Sequence, residues 1–237
     1  IFTRTFQLIT TFTLDNYALL LENSPFPTYL RNSLVVCTIA TVVAVTIAMI
    51  TAYGFSRNRR FAGRQTLLIL VIATQLFPFV ILITPLYATF FSLGMINNPL
   101  ALIISYIAVN LPFCIYMLLG YLDTIPRDLD DAARIDGATT LQIIFRVILP
   151  VAWPGIVTVA VYAFVSAWDE FLFALTLMTS DENKTVPVGL AGFFGEYTTQ
   201  WNLVMAASVI STLPTLVIFM FLQRKLVSDL SAGAVKT

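Results

Sequence analysis

The residues able to do chemistry are few, and they fall into two groups. One comprises Arg127, Asp128, Asp130, Asp131, Arg134 and Asp136, inside the stretch Pro126 to Gly137. The other is Asp169 with Glu170, set between Trp168 and Phe171 in an otherwise apolar run. The chain has no His, so no Ser/His/Asp or Cys/His nucleophile set can be assembled. No G-x-x-x-x-G-K-[ST] loop occurs, so the chain does not bind and hydrolyse ATP by that route. Cys37 and Cys114 lie singly in apolar runs and form neither a metal motif nor an obvious disulfide framework. They read as small core residues.

The first group has the signals of a short helix. Pro126 can open it, because its missing N–H would be unpaired there anyway. Asp128, Asp130 and Asp131 fall in the first turns, where carboxylates complement the helix dipole. Leu129, Ala132, Ala133 and Asp136 follow at i, i+3, i+4 and i+7 and share one face. That face is small at its centre, so a partner surface can approach closely. Gly137 can take the left-handed conformation that stops the helix. Thr139 with Gln142 fits a capping box for the next one. The expected form is a short helix, a sharp turn and a long helix climbing into a membrane. An ordinary solvated loop between two spans is the alternative.

The elements that position these groups are membrane spans. Hydrophobic residues are 58%, charged residues 11%, and mean hydropathy is +0.87. A soluble domain carries about 25% charged residues. The chain therefore reads as an integral membrane protein. Its zero net charge gives no sign of nucleic-acid binding. A helical span needs about 20 residues to cross a ~30 Å core. Residues 32–56, 66–91, 100–122, 147–178 and 202–223 meet that length, and the class is all-α, a polytopic membrane helix bundle in a single domain. Residues 1–29 read as an external segment with a short surface helix, 123–146 as a cytoplasmic loop and 224–237 as a cytoplasmic tail.

Basic residues set the orientation. Arg57, Arg59, Arg60, Arg64, Arg127, Arg134, Arg146, Arg224, Lys225 and Lys236 fall on one side; Arg4, Arg31 and Lys184 fall on the other. The richer side is expected to be cytoplasmic, which puts Ile1 outside. Pro78, Pro85, Pro112, Pro150, Pro154 and Pro214 interrupt four of the spans. They read either as packing geometry or as hinges of a gate. Segment 147–178 is too long: at 1.5 Å per residue it would reach ~48 Å. A break near Ala167 to Glu170 would correct the length and relieve two carboxylates inside a span. That acid pair either lines a substrate path or is satisfied by backbone and a partner subunit.

The stretch from Asp131 resembles the EAA loop of ABC-transporter permeases: Glu-Ala-Ala, three residues, Gly, nine residues, Ile-x-Leu-Pro. Here the pattern is Asp131-Ala132-Ala133, Gly137, Val147, then Leu149-Pro150, with Asp for Glu and Val for Ile. Further likeness covers nearly the whole chain. Tyr29-Leu30-Arg31-Asn32-Ser33-Leu34 resembles the start of the second span of sugar permeases. Leu93-Gly94-Met95-Ile96-Asn97-Asn98 resembles the outer turn after their third. Trp168-Asp169-Glu170-Phe171 is similar to the family's Trp-Asn-Glu-Phe, with an extra acid. The end, Leu230 to Lys236, resembles the tail of the maltose-type permease. The chain is thus identified as resembling a carbohydrate-uptake permease with the type I importer fold.

The resemblance implies the following. Leu129, Asp131, Ala132, Ala133, Asp136, Gly137, Leu149 and Pro150 couple to a cytoplasmic ATPase, with Ala133 against its cleft. Ala232, Gly233 and Lys236 of the tail contact the same ATPase. Trp168, Asp169 and Glu170 lie on the substrate path. The partners are a second related permease, two ATPase subunits, an external substrate-binding protein and the lipid bilayer of a bacterial or archaeal cytoplasmic membrane. No cofactor is expected on this chain; ATP and magnesium belong to the ATPase. Such permeases usually start inside, so one N-terminal span is expected to be missing. A permease for a polyamine, amino acid or phosphate ester is the near alternative. A secondary transporter or a membrane scaffold is the more distant one.

Overall fold

The structure, a computed structural model, describes residues 13–58, 60–195 and 199–234, with side chains as far as Met220. The described residues fold as helices throughout, apart from one isolated bridge between Phe194 and Thr199. A short helix, α1 (Asp15–Glu22), leads through a Ser24 turn into α2 (Phe26–Arg57). Pro27 falls in the first turn of α2, where a missing N–H costs nothing. Ala40, Ala44, Ala48 and Ala52 make a buried stripe at i, i+4 spacing. Such a stripe lets another backbone come close. The helix it meets is α5 (Pro99–Leu122), and this pair packs more extensively than any other.

Segment 66–91 departs from expectation. Instead of one kinked span, the chain forms α3 (Arg64–Ala73), a 3₁₀ turn at Thr74–Leu76, and α4 (Phe79–Ser92), bent by 92° at the break. Phe77 is extended because it precedes Pro78, and Pro78 has no N–H to continue the ladder. Gln75 Nε2 donates to the Val109 carbonyl at 3.0 Å, which ties the break to α5. At the outer turn, Asn98 caps α5 by accepting from the Leu100 N–H.

The segment expected at 147–178 is also redrawn. Helix starts at Thr140 and runs unbroken to Trp168, 29 residues. It consists of α7 (Thr140–Gln142), a π-helical stretch Ile143–Ile148 and α8 (Leu149–Trp168). Pro150 explains part of this, since it cannot donate to the Arg146 carbonyl and the ladder must change register nearby. Residues 140–146 are therefore helical and continuous with the helix that follows. The chain then breaks at Asp169–Phe171 and resumes as α9 (Leu172–Leu177), α10 (Val186–Gly192) and the long α11 (Trp201–Ala234). Among the described residues, four helices are long and apolar enough to cross a membrane, or five if the bent α3–α4 pair counts as one span.

The core has two centres. One gathers Tyr29, Val36, Phe90, Tyr106, Trp168, Phe173 and their neighbours. The other gathers Val45, Tyr53, Leu118, Ile125, Ala133, Ile143 and Ile148. Cys37 is free and buried in the first, Cys114 in the second. The two chemical groups of the sequence sit one at each centre.

Candidate functional site

The first group folds as α6 (Asp128–Ile135) and its turn. Gly137 has φ +80°, the Ala138 N–H donates to the Ala133 carbonyl at 3.0 Å, and the Gly137 N–H donates to the Arg134 carbonyl at 3.0 Å. This is a complete Schellman stop, and glycine supplies the left-handed residue. The capping box also forms: the Thr139 N–H donates to Gln142 Oε1 at 2.8 Å, and Thr139 Oγ1 accepts from the Gln142 N–H at 3.4 Å. Thus α6 turns sharply and docks beside the π-helical stretch, forming a rigid hairpin at the foot of the long span.

The faces of α6 differ from the expected ones. The buried residues are Asp130, at 2% exposure, and Ala133, at 8%. Ala133 joins the cluster of Ile143, Ile144 and Ile148 in its own chain, and it also lines the open hollow inside the hairpin. Its neighbours three and four residues away set the outward face. Leu129, Asp131, Ala132 and Asp136 are exposed, and Ile135 is 87% exposed. Among the described residues, Asp131 pairs with the exposed Arg134, at 3.4 Å. An open hollow of about 360 Å³ lies inside the hairpin, lined by Asp136, Gly137, Gln142 and Arg146 among others. Leu149 is half-buried and Pro150 exposed.

Asp130, expected only as a first-turn acid facing the helix dipole, is the most tightly held acid here. Tyr53 Oη donates to its Oδ1 at 2.5 Å. Arg57 Nη2 lies 3.0 Å from its Oδ2, with both side chains nearly fully buried. Arg57 Nη1 reaches the Ile125 carbonyl at 3.2 Å and the Leu122 carbonyl at 3.4 Å. The guanidinium also lies 5.8 Å from the centre of the Tyr53 ring. Arg127 Nη2 donates to the Ser56 carbonyl at 2.8 Å, and Ser56 Oγ donates to Asp123 Oδ1 at 2.7 Å. Removing one partner of a buried ion pair costs about 3–5 kcal/mol, because the other is left uncompensated. The one sequence signal was the spacing Asp130, Ala133, Gly137, a second helical face beside the one that was chosen.

The second group is divided by the break after α8. Glu170 is taken up by the fold. Its Oε1 accepts from the Phe173 N–H at 2.8 Å, and its Oε2 accepts from the Ala174 N–H at 3.1 Å and from Tyr106 Oη at 3.0 Å. A carboxylate on the first N–H groups of α9 stands where the dipole favours it. Glu170 thus caps α9, the backbone-satisfied alternative of the two expected for this acid. Trp168 is buried, stacks on Phe164 at 5.6 Å and donates Nε1 to the Ser211 carbonyl at 3.2 Å. Asp169 alone is exposed. It shares a cleft of about 400 Å³ with Trp168, Pro187, Ser208, Ser211, Thr212 and Thr215. Those four hydroxyl residues recur at i, i+3, i+4 and i+7 on α11, so they form one helix face. That periodicity was readable in the sequence and was overlooked.

The tail residues Ala232 and Gly233 are reached only by the backbone of α11, and Lys236 lies outside the described residues.

A bundle of apolar helices of span length with a capped hairpin between two of them is the architecture of a polytopic membrane protein. The family model described as "Binding-protein-dependent transport system inner membrane component" matches residues 44–231. The chain is 37% identical to the sulfoquinovosyl glycerol transport system permease protein SmoH of Agrobacterium fabrum, over 94% of this chain and 78% of that protein. It is 39% identical to the trehalose/maltose transport system permease protein MalG of Thermococcus litoralis, over 94% of this chain and 81% of that one. A crystal structure of a bacterial ABC transporter that imports alginate superposes with a TM-score of 0.78 at 23% identity, covering 93% of this chain and 82% of that chain. The chain belongs to the family of inner-membrane components of binding-protein-dependent transport systems. It is a multi-pass ABC-importer permease, a transport subunit rather than an enzyme.

Proposed function

We propose that this chain forms half of the translocation path for a sugar or sugar derivative. Its partners are a second related permease, two cytoplasmic ATPase subunits that hold ATP and magnesium, and an external binding protein that delivers the solute. The membrane is a bacterial or archaeal cytoplasmic membrane. The observation that carries this reading is the hairpin of α6 and the π-helical stretch. Its outward face is a small apolar and acidic patch, Leu129, Asp131, Ala132, Ile135 and Asp136, on a stop and a cap that fix its direction. Gly137 holds the turn, and Leu149 with Pro150 opens the span that receives the push. Ala133 anchors the patch from inside. The tail residues Ala232, Gly233 and Lys236 are assigned to the same ATPase by resemblance. The ten basic residues of the loops and tail support a cytoplasmic side for the hairpin.

The sugar assignment draws on the names of the relatives and on the cleft. Asp169 accepts hydrogen bonds, while Ser208, Ser211 and Thr212 each donate to a carbonyl one turn back and keep their oxygens free to accept. Trp168 backs this wall, and Glu170 fixes the break that aims Asp169. Such a surface suits a neutral, hydroxyl-rich solute. The test is uptake by the complete complex in vesicles, with labelled trehalose, maltose, putrescine and glutamate. The expected result is ATP- and binding-protein-dependent uptake of a sugar. Uptake of only the amine or the amino acid would overturn the sugar reading, and uptake without the ATPase would overturn the importer reading.

A further inference from the structure

We propose that Asp130, with Arg57 and Tyr53, is the positioning latch through which movement of α6 reaches the membrane spans. The inference rests on the reading of α6 as the ATPase-docking helix. An eight-residue helix has little with which to hold its place, and α6 turns only two buried side chains inward. Ala133 contributes an apolar contact, which is non-directional and lets a helix slide. Asp130 contributes the directional one. Two residues one turn apart on α2 meet it: Tyr53 donates a hydrogen bond to Oδ1 at 2.5 Å and supplies the direction, while Arg57 Nη2 pairs with Oδ2 by charge at 3.0 Å without hydrogen-bond geometry.

Arg57 extends the connection. The same guanidinium reaches the carbonyls of Leu122 and Ile125, so it closes the end of α5 as well. One side chain therefore joins α2, α5 and α6, and α2 with α5 is the most extensively packed pair in the molecule. Arg127, at the start of α6, adds a second tie to the end of α2 through the Ser56 carbonyl. A buried ion pair is a poor source of net stability compared with an apolar filling of the same volume. What it supplies here is a fixed angle and register between the docking helix and two spans. Because Asp130 points inward, cutting the latch leaves Leu129, Asp131, Ala132 and Ile135 in place. An ATPase should then bind, turn over and fail to move the spans.

The test uses the whole complex, with a spin label at exposed Leu93 on the outer turn and a second on the partner permease. The reading is the change in label separation between the nucleotide-free state and the state trapped with ATP and vanadate. Wild type should co-purify with the ATPase and show a change. Asp130→Asn should retain the ATPase and its ATP turnover but lose most of the change, and Asp130→Glu should restore it. If Asp130→Asn fails to accumulate, Tyr53→Phe removes only one hydroxyl and should still reduce the change. A full change in Asp130→Asn, or in Tyr53→Phe if that is the variant available, overturns the latch and leaves docking intact. Failure of the wild-type chain to hold the ATPase through α6 overturns the docking reading, and the latch with it.

Discussion

Two pairs of adjacent acids lie at the edge of a core, Asp130–Asp131 near one end of the bundle and Asp169–Glu170 at the break of the long span, and each is split in the same way, whereas the third pair, Asp181–Glu182, is exposed at both residues. Within each pair one carboxylate is turned into the fold and meets a tyrosine: Tyr53 on Asp130, Tyr106 on Glu170. The other is exposed, Asp131 on the outward face of α6 and Asp169 in the cleft beside α11. The inner acids are fastened differently, however. Asp130 crosses to another helix through a cation, while Glu170 caps the helix that follows it through backbone N–H groups. The first arrangement fixes one helix against others, and the second fixes a local break. On α6, 3.6 residues per turn points Asp130 and Asp131 about 100° apart, while Asp169 and Glu170 are separated by the break in the chain between α8 and α9. An acidic dipeptide at the edge of a core is thereby divided into one structural acid and one that is free to work.

The comparison can be broken by mutation, and the largest effect should come from the inner acid with the ion pair. Asp130→Ala leaves Arg57 buried without its anion and should lower stability by about 3–5 kcal/mol. Chemical denaturation of the purified chain in detergent measures it. Glu170→Ala removes an ionised acceptor from two N–H groups and one hydroxyl, and should cost about 1.5–3 kcal/mol, fraying α9 first. Amide hydrogen exchange at Phe173 and Ala174 reports that directly. The outer acids should be nearly silent in stability, within about 0.5 kcal/mol. Asp169→Asn should keep the fold and lower uptake of the transported sugar. A loss of stability in Asp169→Asn as large as in Glu170→Ala would dissolve the distinction between them.

Much of this was legible before any coordinates. Gly137 and the Thr139–Gln142 box mark stop and restart by local rules and operate as written, while Pro126 stands just before the helix, which begins at Asp128 after Arg127 as N-cap. The break after Trp168 followed from length and from two acids in an apolar run. The inward face of α6 was not legible, because Leu129/Ala132/Ala133/Asp136 and Asp130/Ala133/Gly137 are equally good helical faces. Only packing against Ile143 and Ile148 and the reach of Arg57 select between them. Tyr53 and Arg57 are more than seventy residues away from Asp130 in sequence, and nothing local announces their meeting. The π-helical stretch and the right-angle bend at Phe77 were missed for a related reason. Each proline marks where the ladder fails, but the neighbours decide whether the helix kinks, changes register or turns a corner.

The central claim is that the outward face of α6 is what the ATPase grips, and Ile135 tests it most directly. Its side chain is 87% exposed, so Ile135→Asp removes no packing within this chain. The variant should accumulate and unfold like wild type, while the ATPase subunit is lost on co-purification of the complex from detergent. Full retention of the ATPase by Ile135→Asp combined with Leu129→Asp, with unchanged ATP turnover, would contradict the account.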